Sequence, residues 1–346
     1  MAEAGERETA IPADTEQPLD ADNEPEDTDS AIYSLSDSLT SLRPSIYQYQ
    51  HENGRRYHAM SAGKYFLPND DPEVERLDLQ HHLLRLTIDG RLCLCPKNEN
   101  ATRVLDLGTG SGIWAIEYAD AHPDAMVIGV DLSPVQPEFV PVNCQFEIDD
   151  LEKDWMWSKP FDFIFSRMMD GSFVDHGAIV QKAYDHLEPG GYFEAQDMGL
   201  PLGCDDGSLT EDSDIWKWML LVMEGMDKLG RPVRGAHLWK RCMEAAGFED
   251  VVETVYKWPT NRWPRSPKFK ELGMWSLANM DAALEAATLA PLTRALDFSM
   301  EEVLVMVGNV RKVLRDPSVH AYWPIHVIYG RKPLAPGKTT ANVEVS

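Results

Sequence analysis

The chain is 346 residues long, 43% apolar and 26% charged, and its 57 acidic against 32 basic side chains leave a formal net charge of −25. This balance suits a globular protein with its own core and argues against binding a phosphate backbone as the main task, so direct contact with nucleic acid is not expected. Five cysteines make no disulfide framework, and no apolar run approaches the ~18 residues of a membrane span.

Residues 1–40 hold 12 acidic side chains and one basic residue, Arg7, which puts −11 of the net charge on this arm. With Pro12, Pro18 and Pro25 and few large apolar residues, it cannot bury enough surface to offset ordering entropy. A disordered acidic tail is expected, solvating in its simplest reading and a docking arm in the alternative. Its polar start does not resemble an export signal, so the chain is expected in the cytoplasm or nucleus and not outside the cell. Residues 41–100 read as an N-terminal cap segment. Its helix over 73–87 carries Val74, Leu77, Leu83, Leu84 and Leu86. Cys93-x-Cys95 has no second pair at zinc spacing and reads as two reduced thiols, so no metal is expected.

Strands and helices then alternate. Short β-branched and aliphatic runs predict strands over 103–107, 126–130, 144–148, 161–166 and 192–196. Helices are predicted over 111–121 and 179–187, the second stopping at Pro189-Gly190-Gly191. This alternation implies a parallel sheet with helices on both faces and its working loops at the strand C-termini. Beyond residue 200 the pattern turns helical. Helices are expected over 214–229, 238–246 and much of 268–315, with strands over 251–255 and 319–331. Ile215, Met219, Val222, Met223 and Met226 recur at helical spacing and read as core or lid packing. Trp216, Trp218, Trp258 and Trp263 fall in the same region, where stacking on a planar ligand and core packing explain them equally.

The sharpest signal is Val104–Trp114, VLDLGTGSGIW. Gly108, Gly110 and Gly112 follow a strand directly and open a helix, letting a nucleotide approach the backbone and free N–H groups. A dinucleotide fingerprint needs a glycine at 113, where Ile113 stands, and Asp106 would repel a diphosphate but attract a cation. S-adenosylmethionine carries an ammonium and a sulfonium, which suits such a loop better than a nicotinamide dinucleotide. Asp131 ends the second strand in Gly129-Val-Asp-Leu132, where a carboxylate can accept both ribose hydroxyls. Asp149-Asp150-Leu151 ends the third. A carboxylate there can accept the adenine amino group, with Leu151 packed on the ring.

On these residues the segment 103–197 resembles the core of class I S-adenosylmethionine-dependent methyltransferases. His51–His58 (HENGRRYH), Gly63–Asp71 (GKYFLPNDD), the run from Gly112 to Pro137 and the run from His320 to Pro333 (HAYWPIHVIYGRKP) resemble the fungal LaeA-like methyltransferases, over about residues 46–333. The resemblance implies an α/β fold: a Rossmann-like seven-stranded methyltransferase sheet with a helical N-terminal cap and helical insertions in the C-terminal half. It implies a methyltransferase domain over 101–333 with substrate-lid helices at about 200–315, then a frayed end over 334–346. The cofactor-binding residues expected are Asp106, Gly108, Thr109, Gly110, Gly112, Asp131, Leu132, Asp150, Leu151 and Ser166. Thr109 stands where the family often has Cys, beside backbone contacts that tolerate either.

Methyl transfer from a sulfonium is an in-line displacement, so the protein's main contribution is alignment and exclusion of water. A base is needed only if the acceptor loses a proton, and His176, Asp170, Glu194 and Asp197 are the candidates near the site edge. Arg167 and Met168 follow the fourth strand beside the transferred group. Arg167 is expected either to pair an acidic acceptor or to bridge Asp170 or Asp175. Tyr57 and Tyr65 lie in the aromatic cap blocks and close over the site or simply pack the cap. The expected partner is a small-molecule acceptor of fungal secondary metabolism. The alternative is a LaeA-like nuclear regulator working through a protein partner.

Overall fold

Asn53 and Gly54, at φ 51° and 76°, form the turn of a two-strand hairpin, β1 (Gln50–Glu52) and β2 (Arg55–Tyr57). Asn-Gly is the pair that such a tight turn favours, because both positions need positive φ. The structure, a computed structural model, describes residues 49–58, 60–61 and 63–334. The acidic arm over 1–40 and the predicted frayed end beyond 334 lie outside the described residues. Helix α1 (Asp71–Thr87) starts two residues before its predicted onset, because Asp70 caps it by accepting the Glu73 N–H at 3.3 Å.

The α/β core follows as β3 (Arg103–Leu107), α2 (Ile113–Ala121), β4 (Met126–Asp131), β5 (Cys144–Ile148), β6 (Phe161–Arg167), α3 (His176–His186) and β7 (Leu187–Met198). Asp175 caps α3 through the Ala178 N–H. Pro189-Gly190-Gly191 falls inside β7 instead of before it. The strand absorbs these residues where its register against β6 shifts between Phe161 and Phe163. The C-terminal half adds β8 (Gly203–Cys204), α4 (Asp214–Lys228), α5 (Trp239–Ala246), β9 (Glu249–Pro259), α6 (Pro267–Ala295), α7 (Met300–Arg315) and β10 (Ala321–Arg331).

The sheet order is β5-β4-β3-β6-β7-β10, with β9 and the two-residue β8 both paired to β10. Seven strands make the expected sheet, and β8 is a short eighth. The first five run parallel, so the ends of β4, β5, β6 and β7 share one edge. β10 runs antiparallel to β7 and β9.

Alternate strand residues feed opposite faces. Val104, Val127 and Phe163 pack with Trp114 and Tyr118 of α2, where Trp114 stacks on Phe165 at 3.8 Å. Leu105, Ile128 and Ile164 pack on the other face with Ile179, Trp239 and Met243 from α3 and α5. A third core joins α1, α4, α6 and α7 to the start of β10 through Leu83, Trp218, Met219, Leu284, Val307 and Trp323. The methionine stripe of α4 therefore packs core, with Met219 and Met226 fully buried. Trp258 is buried as well, its indole N–H donating to Thr87 Oγ1 at 2.6 Å. Among the described residues no helix is long and apolar enough to cross a membrane.

Candidate cofactor and acceptor site

The glycine loop leaves the end of β3 with Gly108, Gly110 and Gly112 at φ 68°, 57° and 83°. All three lie in the left-handed region that side chains rarely adopt. The Thr109 N–H donates to Val130 O at 2.9 Å, which ties the loop to β4. A Cβ on Gly108 would overlap the Met169 thioether, and one on Gly110 would meet only Leu77 Cδ1, at 3.0 Å. Gly110 is therefore the member kept open toward the cavity.

Asp106 lies buried beneath the loop and accepts the Thr109 hydroxyl at 2.6 Å. Burial pushes its carboxyl up to about 6, although Thr109 and the Arg167 charge oppose this. Asp131, at the end of β4, accepts the Gly110 N–H on Oδ2 at 2.9 Å and the Ser133 N–H on Oδ1 at 3.0 Å. Burial also raises this carboxyl to about 6, against those N–H bonds. Residues 61 and 64 reach the third acidic position. Asp150 accepts the Ser61 hydroxyl at 2.8 Å and the Lys64 ammonium at 2.7 Å, which together hold its carboxyl below the usual range against burial. Lys64 also lies 2.9 Å from Glu152, which Arg231 meets from the other side at 2.9 Å.

These groups border a cavity of about 260 Å³ at the shared strand edge. Of the expected cofactor residues, Gly108, Thr109, Gly110, Asp131, Leu132, Asp150 and Leu151 line it. Asp106, Gly112 and Ser166 do not. Gly112 caps α2, and the fully buried Ser166 Oγ has no hydrogen-bond partner. Of the expected acceptor residues, Tyr65, Arg167 and Met168 line the cavity. Tyr57 does not: it is buried in β2, with the Arg294 guanidinium 5.4 Å from its ring centre. Met168 sits at φ 53°, an uncommon backbone state for a side chain of its size, and its N–H bonds Gln196 O at 2.8 Å.

Arg167 bridges neither Asp170 nor Asp175. It donates to His81 Nδ1 at 2.9 Å, and His81 Nε2 lies 3.0 Å from Glu117. Since a guanidinium only donates, His81 accepts on Nδ1 and carries its proton on Nε2. Burial and the Arg167 charge keep this imidazole neutral, with its pKa down to about 4. Burial likewise lowers Arg167 to about 10, against the pull of Asp106, Glu117 and Asp78.

Of the four base candidates, Asp170 and Asp197 reach the cavity, whereas Glu194 and His176 do not. Glu194 instead accepts N–H groups from Leu94, Cys95 and Gln196 at 2.7–3.0 Å, fastening residues 94 and 95 to β7. One of its oxygens and the Cys93 and Cys95 sulfurs lie within 4.8 Å of one another. Sequence reasoning missed one cluster, the buried pair Glu73–Arg76 with Asn279 of α6, whose Oδ1 accepts from Arg76 at 2.8 Å. The available signal was the polar stripe Glu73, Arg76 and Gln80 at helical spacing, which faces inward here.

Residues 79–253 match a family described as a methyltransferase domain. Over 308 residues the chain is 38% identical to "Methyltransferase pytC" of Aspergillus terreus, covering 89% of this chain and 95% of that protein. It is 37% identical over 289 residues to "Secondary metabolism regulator LAE1" of Cochliobolus heterostrophus, covering 82% and 94%. It is 33% identical over 293 residues to "Protein-methionine methyltransferase laeA" of Emericella nidulans, covering 83% and 77%.

Proposed function

The chain belongs to the LaeA-like members of the methyltransferase domain family, and on that premise we propose that its glycine-loop cavity receives S-adenosylmethionine beside a small, largely apolar acceptor. It is an S-adenosylmethionine-dependent methyltransferase. The observation that carries the placement is the Asp131 carboxylate, fixed by the Gly110 N–H at 2.9 Å and facing the same cavity as the glycine loop. That arrangement fits a nucleoside: an acceptor for its hydroxyls, an open glycine edge for close approach, and Leu132 and Leu151 as apolar walls. When bound, the cofactor supplies an activated methyl group on a sulfonium.

The chain's own residues then orient and enclose. Lys64, Tyr65, Phe66 and Asn69 cover the cavity from the cap, and Asn69 is tied to Ser133 at 3.0 Å. Trp218, Val222, Met280 and Trp323 line it from the helical half. Such walls exclude water and suit an apolar acceptor. A cap over 41–100, a core over 101–333 and lid helices at about 200–315 belong to the same reading, as do Asp106 beneath the loop, Gly112 at the helix start and Ser166 at the end of β6 as supports of the cofactor residues. Calorimetry with S-adenosylmethionine tests it. Micromolar or tighter binding is expected, and no heat under saturating donor would end it.

A second reading has a specific observation behind it. Met168, Met169, Met198 and Met280 all line the cavity, and one relative is named for methylating protein methionine. A regulator acting through a protein partner, in the nucleus, fits that observation, whereas an enzyme of metabolite synthesis would serve in the cytosol. Metabolite profiles of a strain carrying an Asp131→Ala chain separate the two. Loss of one methyl from one compound supports the enzyme, and silencing of many unrelated products supports the regulator.

A further inference from the structure

Asp197 ends β7, one strand beyond β6 on the side of the sheet away from Asp131. It lines the cavity and is only 1% exposed. Its neighbour Gln196 accepts the Met168 N–H, so Asp197 stands beside the Met168–Met169 wall. All its partners are N–H donors: the Trp239 indole to Oδ2 at 2.6 Å, the Asp170 backbone to Oδ1 at 3.1 Å, and the Met169 backbone. Three N–H donors thus fix the carboxylate, and Met168, Met169, Phe173, Met198 and Val233 line the same cavity.

We propose that Asp197 accepts the proton of the methyl acceptor, and that the acceptor is therefore an apolar molecule presenting an O–H or N–H group. The inference rests on the cavity holding cofactor and acceptor together. In the step, the acceptor's O–H or N–H bond breaks and the proton passes to an Asp197 oxygen. The electron pair left on the heteroatom forms the new bond to the methyl carbon. The pair of the broken carbon–sulfur bond stays on sulfur, leaving S-adenosylhomocysteine. Burial raises the Asp197 carboxyl to about 7, which suits a group that must take up and release a proton near neutrality. Asp170, the other base candidate that lines the cavity, is partly exposed and contributes its backbone N–H to hold Asp197 in place. A thioether has no proton to give, so this site distinguishes a protic acceptor from methionine.

The test uses the full chain saturated with S-adenosylhomocysteine, whose own binding is measured first. No binding of it defeats the cofactor reading and is recognised at that stage. 2-Naphthol and 2-methoxynaphthalene are then titrated by fluorescence into the wild type and Asp197→Asn. The wild type should prefer 2-naphthol by about tenfold or more, as one hydrogen bond to a charged acceptor implies. The preference should shrink several-fold in the variant, whose amide oxygen is a neutral and weaker acceptor. Equal affinity for the two probes in the wild type, binding of neither, or a preference undiminished in the variant overturns the proposal. Should the variant not bind S-adenosylhomocysteine, the wild-type comparison decides alone. Transfer of labelled methyl to 2-naphthol should also fall about 100-fold or more in the variant, and an unchanged rate counts against the assignment.

Discussion

A carboxylate that already accepts two backbone N–H groups, as Asp131 does from Gly110 and Ser133, enters binding with its orientation fixed. These partners do not use all of its lone pairs, so in the proposed role it can accept ligand hydroxyls without rearrangement. Asp131→Ala is expected to weaken S-adenosylmethionine binding by ~1–3 kcal/mol, read by calorimetry, and an unchanged affinity would remove this residue from the site. Because burial raises the Asp131 carboxyl to about 6, wild-type affinity should decline as pH is lowered from 7 to 5. The proton then occupies the oxygen that the hydroxyls need. A flat profile that drops only near pH 4 would contradict the burial argument.

At the level of elements, α1 docks on α6 through charge as well as through leucines. Arg76 meets Glu73 and Asn279 with almost no solvent near them. Arg76→Met should destabilise the chain by roughly 3–5 kcal/mol in urea unfolding, since it leaves Glu73 buried without its partner. Adding Glu73→Gln should restore part of that loss, and additive losses would show that the two residues do not act as a pair. A milder effect is expected at α7, where Ser299 and Glu302 form a reciprocal cap. Ser299→Ala should cost ~1 kcal/mol. What the sequence made legible follows the same division. Strands β3 to β6 and the glycine loop announce themselves, because period and glycine spacing are local properties. The clamp of Lys64 on Asp150, 86 residues apart, and that of Arg76 on Asn279, 203 apart, have no local trace. Arg167 likewise bonds a histidine on α1 in place of the nearby aspartates, because tertiary packing brings His81 within reach. The Pro-Gly-Gly run looked like punctuation and became part of β7, since a register shift can accommodate what a regular strand cannot.

Across the whole molecule, buried carboxylates set a pH trend. Burial raises Glu194 to about 7, above the ~4.3 of an unfolded glutamate. Between those values the folded chain holds a proton that the unfolded chain has lost, so this group's contribution to stability falls as pH rises through that window. Glu194→Gln cannot titrate. Its thermal midpoint relative to wild type should therefore rise between pH 5 and 8, and a constant difference would refute the linkage. The cavity itself is assembled from residues as distant in the chain as Lys64 and Trp323. That wrapping limits how such enzymes can be recombined. A chimera that borrows a relative's 200–315 segment must import residues 64–80 with it. Otherwise Arg76 arrives at a foreign α6, and the graft fails in folding before its chemistry is ever sampled.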